Sequence, residues 1–149
     1  LKEYSKKYEY AFITIGQIKN PKPRINIYAL LKSLNFKLPF FLSDNSYLSK
    51  NSSLDEASIV MHGCVINSHS KIGINCIINS KVLIEHNVTI GNHNHISTGV
   101  ILNGNVTVGN NNFIGSGAII YNNISIGDNC IISAGSIIKV NLDNNSLIK

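Results

Sequence analysis

From Leu54 to Ile138 a bulky aliphatic stands at every sixth position without a slip: Leu54, Val60, Ile66, Ile72, Ile78, Ile84, Ile90, Ile96, Leu102, Val108, Ile114, Ile120, Ile126, Ile132 and Ile138. A helix repeats its buried face near 3.6 residues and a strand repeats at 2, so neither accounts for a strict six. Six is the period of a hexapeptide β-helix, whose short flat faces each send one aliphatic inward and meet at turns.

Two secondary patterns follow the ladder. Gly73, Gly91, Gly109 and Gly127 each follow an in-register aliphatic and recur every eighteen residues, one three-sided coil. Glycine or asparagine is expected where the chain turns with positive φ, and the stretch is rich in both. Two residues before each aliphatic the side chain is usually small (Ser58, Cys64, Ser70, Cys76, Ala118, Cys130, Ser136), as a narrow prism requires. Asn94 and Asn112 occupy the same slot and are expected to stack as a ladder. All three cysteines belong to this class, so they read as small buried thiols in a reducing compartment.

Composition agrees with a solenoid. Charged residues make up 14% and Trp is absent, because stacked aliphatics and backbone ladders leave no room for large aromatics. No apolar run is long enough to cross a membrane, and no signal peptide pattern opens the chain, so the expectation is a soluble, cytoplasmic protein. Residues 1–50 carry nine Lys/Arg against three acids, and residues 51–149 four against five. That basic half is a solvated surface, or it attracts an anionic ligand such as a nucleotide diphosphate; it lacks the aromatic interleaving of a nucleic-acid module.

The first forty residues do not share the period. Tyr10–Ile15 reads as a strand ending at Gly16, the apolar residues Ile27, Tyr28, Leu30, Leu31 and Leu34 as one face of a helix opened by Pro23 and closed by Asn35, and Lys37–Leu42 as a second strand. This divides the chain into a partial α/β unit at 1–44 and a β-helix at 45–149, with Leu42 and Leu48 already in register. The unit is too short to bury a core alone and lacks the Gly-rich first turn of nucleotide-binding domains. The chain does not begin with Met, which points to a trimmed chain.

Histidine is the side chain suited to moving a proton near neutral pH. His62 and His69 read as surface residues. His86, His93 and His95 fall within ten residues and are expected on neighbouring faces of one coil, flanking one cleft. A metal site needs converging ligands, yet His69 and His86 are seventeen apart and His62 and His86 twenty-four, so no pair stacks at eighteen and no metal is expected. Histidines that merely fill polar corners remain a competing reading.

Ile84-Glu85-His86, Ile90-Gly91, His95-Ile-Ser-Thr-Gly99 and Asn103-Gly-Asn-Val-Thr-Val-Gly109 resemble the sialic acid O-acetyltransferase and UDP-4-amino-sugar N-acetyltransferase family of hexapeptide-repeat enzymes. The resemblance implies a mostly β fold, a left-handed parallel β-helix behind a partial α/β nucleotide-sugar domain, assembled as a homotrimer with active sites between prisms. It implies acetyl-CoA as co-substrate and a nucleotide-activated or sialic-acid-like sugar as acceptor, with no metal. Residue by residue, His86 matches the catalytic base and His95 a histidine lining the acetyl-CoA site. The Gly104 N–H matches the oxyanion donor, Ser116 and Ala134 match backbone contacts to the CoA arm, and Gly16 matches a glycine touching the nucleotide sugar. One departure stands out: the family's acid after the catalytic histidine is Asn87 here, which implies a slower enzyme or a higher pH optimum. The usual Gly-x-Pro tail is also missing. The rival readings are a catalytically weakened β-helix that binds a nucleotide sugar and, less well supported by the histidine spacing, a metal-dependent hydratase.

Overall fold

A computed structural model describes residues 1–149. Its two-residue strands form three parallel sheets of seven, six and five strands, and each strand pairs with those one coil before and after it. Face A holds Phe41–Leu42, Ile59–Val60, Ile77–Ile78, His95–Ile96, Phe113–Ile114, Ile131–Ile132 and Leu147–Ile148. Face B runs from Tyr47–Leu48 through Leu83–Ile84 and Ile101–Leu102 to Ile137–Ile138, and face C from Ser53–Leu54 to Ser125–Ile126. In every strand the second residue is the ladder aliphatic, and from Leu54 to Ile138 these form one continuous core. Burying each contributes about 1.5–3 kcal/mol.

The corners have their own strict period. The residue three places after each aliphatic has positive φ at every corner from Ala57 to Gly135, including His69, Asn75, Lys81, Asn87, His93, Asn105, Asn111, Asn123 and Asn129. The asparagines therefore do what the sequence suggests, but Gly73, Gly91, Gly109 and Gly127 do not. None of the four has positive φ. They are glycine because the next coil is too close: a Cβ on Gly91 would lie 2.7 Å from the Gly109 carbonyl oxygen and from Asn110 Oδ1.

The small inward residues also do more than save space. Ser58 Oγ donates to the Gly73 carbonyl at 2.8 Å, Ser70 Oγ to that of Glu85 at 2.7 Å and Asn94 Nδ2 to that of Gly109 at 2.7 Å, each fifteen residues on. The same side chains accept the backbone N–H one coil up, as when Asn112 donates to Asn94 Oδ1 and Cys130 to Asn112 Oδ1. The asparagine ladder thus runs through the backbone, and these slots satisfy turn groups that would otherwise be buried unpaired. The last coil is shorter by two: Ile131 pairs with Leu147 and Ile126 bridges Leu142.

The helix α1, Lys22–Ser33, has Pro23 in its first turn and ends at Asn35 with φ 62. Tyr10–Ile15 makes a single parallel bridge, Tyr10 to Lys37, so the expected strand is reduced to one rung. The second expected strand divides: Lys37 faces Tyr10, while Phe41–Leu42 opens the solenoid against Ile59–Val60. Ile13, Leu31, Phe36 and Leu38 complete their core on Ala57 of the first coil, which is how so short a unit stays folded. Arg24 anchors it. The side chain is fully buried and donates to the carbonyls of Ile13, Ile15, Ala57 and Asn75 at 3.0, 2.9, 3.0 and 3.4 Å, with no carboxylate in contact. Burial lowers its pKa to about 10.

Candidate active site

His86 and Gly104 stand one coil apart on the edge between faces B and C. A Cβ on Gly104 would lie 2.6 Å from His86 Cε1 and 2.7 Å from Nε2, so the imidazole fills the space that any other residue would occupy. The ring is held against the next coil while remaining exposed to solvent. The Gly104 N–H donates to no acceptor in the chain. Asn87, with φ 59, turns its amide back so that Nδ2 lies 3.1 Å from His86 Nδ1. An N–H facing Nδ1 puts the neutral ring's proton on Nε2; turning the amide over presents Oδ1, moves that proton to Nδ1 and frees Nε2 as a base. An acid at this position could hold only the second state. Glu85 does not substitute for it, since its carboxylate accepts from Asn67 Nδ2 in the coil below at 2.9 Å.

The other expected residues lie elsewhere. Ser116 and Ala134 are exposed and stacked on the A–B edge, where Gly135 N–H donates to the Ser116 carbonyl at 2.9 Å. His95 points outward from face A into the junction with the N-terminal unit. Its Nδ1–H donates to the Gln17 carbonyl, one residue beyond Gly16, and its ring meets Phe113 edge-on at 5.3 Å. Burial lowers its pKa, opposed by the Gln17 carbonyl and reinforced by the Arg24 charge. His93, at the C–A corner, lies against Asn75 Nδ2 at 2.9 Å and edge-on to Tyr28 at 5.7 Å. Burial and then Arg24 lower its pKa as well. The three clustered histidines therefore do not share a cleft within one chain. Nine residues is half of an eighteen-residue coil, so His95 faces away from the edge that carries His86. His69 is exposed, and His62 is exposed but fixed, with Nδ1 2.7 Å from Ser43 Oγ.

Arg24, Gln17 and Asn75 build the junction and were not singled out by the sequence. The signal was present for Arg24, which falls in line with Ile27, Tyr28 and Leu31 on the buried stripe of α1. No three His, Cys, Asp or Glu side chains converge as a metal site would need. The cysteines lie in the core, and burial pushes the Cys76 thiol up to about 11.

The bacterial transferase hexapeptide (six repeats) pattern matches residues 105–139. The perosamine N-acetyltransferase of Caulobacter crescentus, a histidine mutant solved with CoA and GDP-perosamine, superposes with a TM-score of 0.91 at 26% identity, over 97% of this chain and 67% of that one. The chain is similar in fold to hexapeptide-repeat acetyltransferases and carries their repeat pattern over residues 105–139. The acetyltransferase domain of PglB from Neisseria gonorrhoeae, solved with acetyl coenzyme A, superposes with a TM-score of 0.86 at 25% identity, over 95% of this chain and 70% of that one. Against PerB from Caulobacter crescentus with CoA and GDP-perosamine the TM-score is 0.85 at 28% identity, over 87% of this chain and 63% of that one, so the chain spans about two thirds of its relatives' length. No curated protein matches the sequence. No helix is long and apolar enough to cross a membrane.

Proposed function

We propose that the protein transfers an acetyl group from acetyl-CoA to an amine of a nucleotide-linked sugar, with His86 as the general base. The observation that carries this reading is the imidazole seated in the side-chain space of Gly104, beside an N–H that has no other acceptor. The amine attacks the thioester carbonyl, forming the C–N bond and an oxyanion that the Gly104 N–H stabilises. His86 Nε2 takes the proton from the resulting ammonium. Breakage of the C–S bond then restores the carbonyl, and the proton leaves with the CoA thiol. An amine suits this site better than a hydroxyl. It attacks as a neutral free base and sheds its proton afterwards, so a base without a carboxylate behind it suffices. The relatives solved with GDP-perosamine and described as N-acetyltransferases support the same choice.

His95 would line the acetyl-CoA site, Ser116 and Ala134 would meet the CoA arm through their backbones, and Gly16 would touch the nucleotide sugar. These groups and His86 lie on different sides of one prism, so a complete site needs a neighbouring copy. Face B supplies the surface for it. Its outward residues Tyr47, Val65, Leu83, Ile101, Ile119 and Ile137 form an unbroken apolar row, with Tyr47 57% and Ile137 55% exposed. The outward row of face C is Ser53, Lys71, Thr89, Thr107 and Ser125. Three prisms gathered around face B, as a homotrimer, would bury that row and bring the B–C edge of one copy, with His86, against the A–B edge of the next, with Ser116 and Ala134. A cytoplasmic setting, which supplies acetyl-CoA and keeps the three cysteines reduced, completes the reading.

The test is thiol release from acetyl-CoA with a panel of UDP- and GDP-linked amino sugars. Turnover on at least one, with acetylated product by mass spectrometry, is expected. Acetyl-CoA binding without turnover on any would favour a weakened solenoid that only binds sugar nucleotides, the reading that the Asn87 N–H facing His86 supports.

A further inference from the structure

The A–B edge carries Gly63, Lys81, Gly99, Gly117 and Gly135 at its positive-φ corner, one per coil. Four of the five are glycine, the residue that takes this conformation without cost, and Lys81, with φ 60, is the exception. Its side chain folds down over the coil below: Lys81 Cγ is the heavy atom nearest to the Cβ position of Gly63, at 3.7 Å. The residue beside Gly63 is His62, whose carbonyl accepts the Lys81 N–H at 2.9 Å. Ser43 Oγ holds His62 Nδ1, which leaves Nε2 as the free polar atom of an exposed ring. Lys81 is exposed and takes part in neither ion pair of the chain, in a solenoid with few cations.

We infer that Lys81 and His62 form a phosphate-recognition site for the diphosphate of the nucleotide-sugar acceptor, which makes them specificity-determining residues. The inference rests on the proposed acetyl transfer. When the Ser43 hydroxyl donates to Nδ1 the N–H falls on Nε2, and in the imidazolium both ring nitrogens carry one, so in either state Lys81 and His62 present donors to an anion. Position along the edge favours the acceptor over CoA. Lys81 belongs to the same coil as His86 and His62 to the coil below, whereas Ser116 and Ala134 lie in coils above. A cleft of about 260 Å³ lined by Phe12, Thr14, Phe41, Ile59 and Met61, the last of these the chain neighbour of His62, is apolar enough to take a base attached to that diphosphate. Residues 1–50, whose core packs on Ala57 of the first coil, carry a positive excess that attracts an anion to this part of the chain.

Calorimetric titration of UDP, GDP, pyrophosphate and CoA into the purified chain and into Lys81→Gly and His62→Gln tests this without knowing the acceptor. Glycine keeps the backbone conformation, so Lys81→Gly should fold with an unchanged or higher Tm. The expected result is that UDP or GDP binds the parent and is weakened about tenfold in each variant, the scale of one charged hydrogen bond, while CoA affinity is unchanged. Tighter binding of the nucleotide than of pyrophosphate would assign the cleft to the base. Failure of both nucleotides to bind the parent overturns the inference, as does equal binding by the variants. A loss confined to CoA would hand the edge to CoA's own phosphates and overturns it too. Failure of the parent to bind CoA would instead count against the acetyl-transfer reading itself.

Discussion

Gly104→Ala separates catalysis from stability more sharply than any other single change. A methyl at this position would approach His86 Cε1 and Nε2 to 2.6 and 2.7 Å. Ordinary contact is near 3.5 Å, so the ring must retreat by about 0.8 Å. The backbone has no objection, because Gly104 does not have positive φ and the colliding group is the end of an exposed, flexible side chain. The expected change in stability is within about 0.5 kcal/mol. Displacing a reacting base by nearly 1 Å costs about a hundredfold in kcat, roughly 2.7 kcal/mol in the barrier. Thiol release and thermal unfolding measured side by side give the answer. Two other glycines serve as controls. Gly99→Ala, with φ 68 and open space, should cost about 1–2 kcal/mol of stability from backbone strain and spare kcat. Gly91→Ala, driven into the Gly109 backbone, should destabilise more. A Gly104→Ala protein with unchanged Tm and unchanged kcat would refute the placement of the base.

The remaining expectations can be checked in the same preparations. Asn87→Asp should accept from His86 Nδ1–H, hold Nε2 unprotonated and raise kcat, measured as thiol release. An unchanged kcat in the variant would contradict the pairing of Asn87 with the His86 ring. His93 and His95 have pKa values below the ordinary 6.5 in the folded chain, so unfolding takes up protons in acid. Their contribution to stability is full above 6.5 and is lost as pH falls through it toward the folded values, so Tm should drop between pH 7.5 and 5.5, and less so in His93→Gln. Arg24→Met should leave buried carbonyls unpaired and cost about 3 kcal/mol, felt as faster hydrogen exchange in residues 10–40 while the solenoid core stays protected. Uniform loss of protection would contradict a local latch.

The architecture was legible because one side chain in six has no freedom: an inward position in a three-sided prism admits only an aliphatic of one size. His86 and Gly104 entered the reading together only through a resemblance to a family pattern; the structure sets them one eighteen-residue coil apart, and the same count places His95 on the opposite side. The glycines at 73, 91, 109 and 127 were misread because composition cannot tell a residue that needs positive φ from one that needs the absence of a Cβ. The shortened last coil shows only as Leu142 arriving where the ladder would put Asn144. Arg24 was missed for a different reason. Its partners are carbonyls from four separated segments, and a carbonyl leaves no mark in a sequence.

The most direct measurement compares His86→Ala with the parent for acetyl-CoA affinity and for thiol release on the amino-sugar nucleotide that gives turnover. The account predicts equal affinity and a loss of about 10²–10⁴ in kcat, the range of a general base. A His86→Ala protein that releases thiol at the parental rate would contradict it.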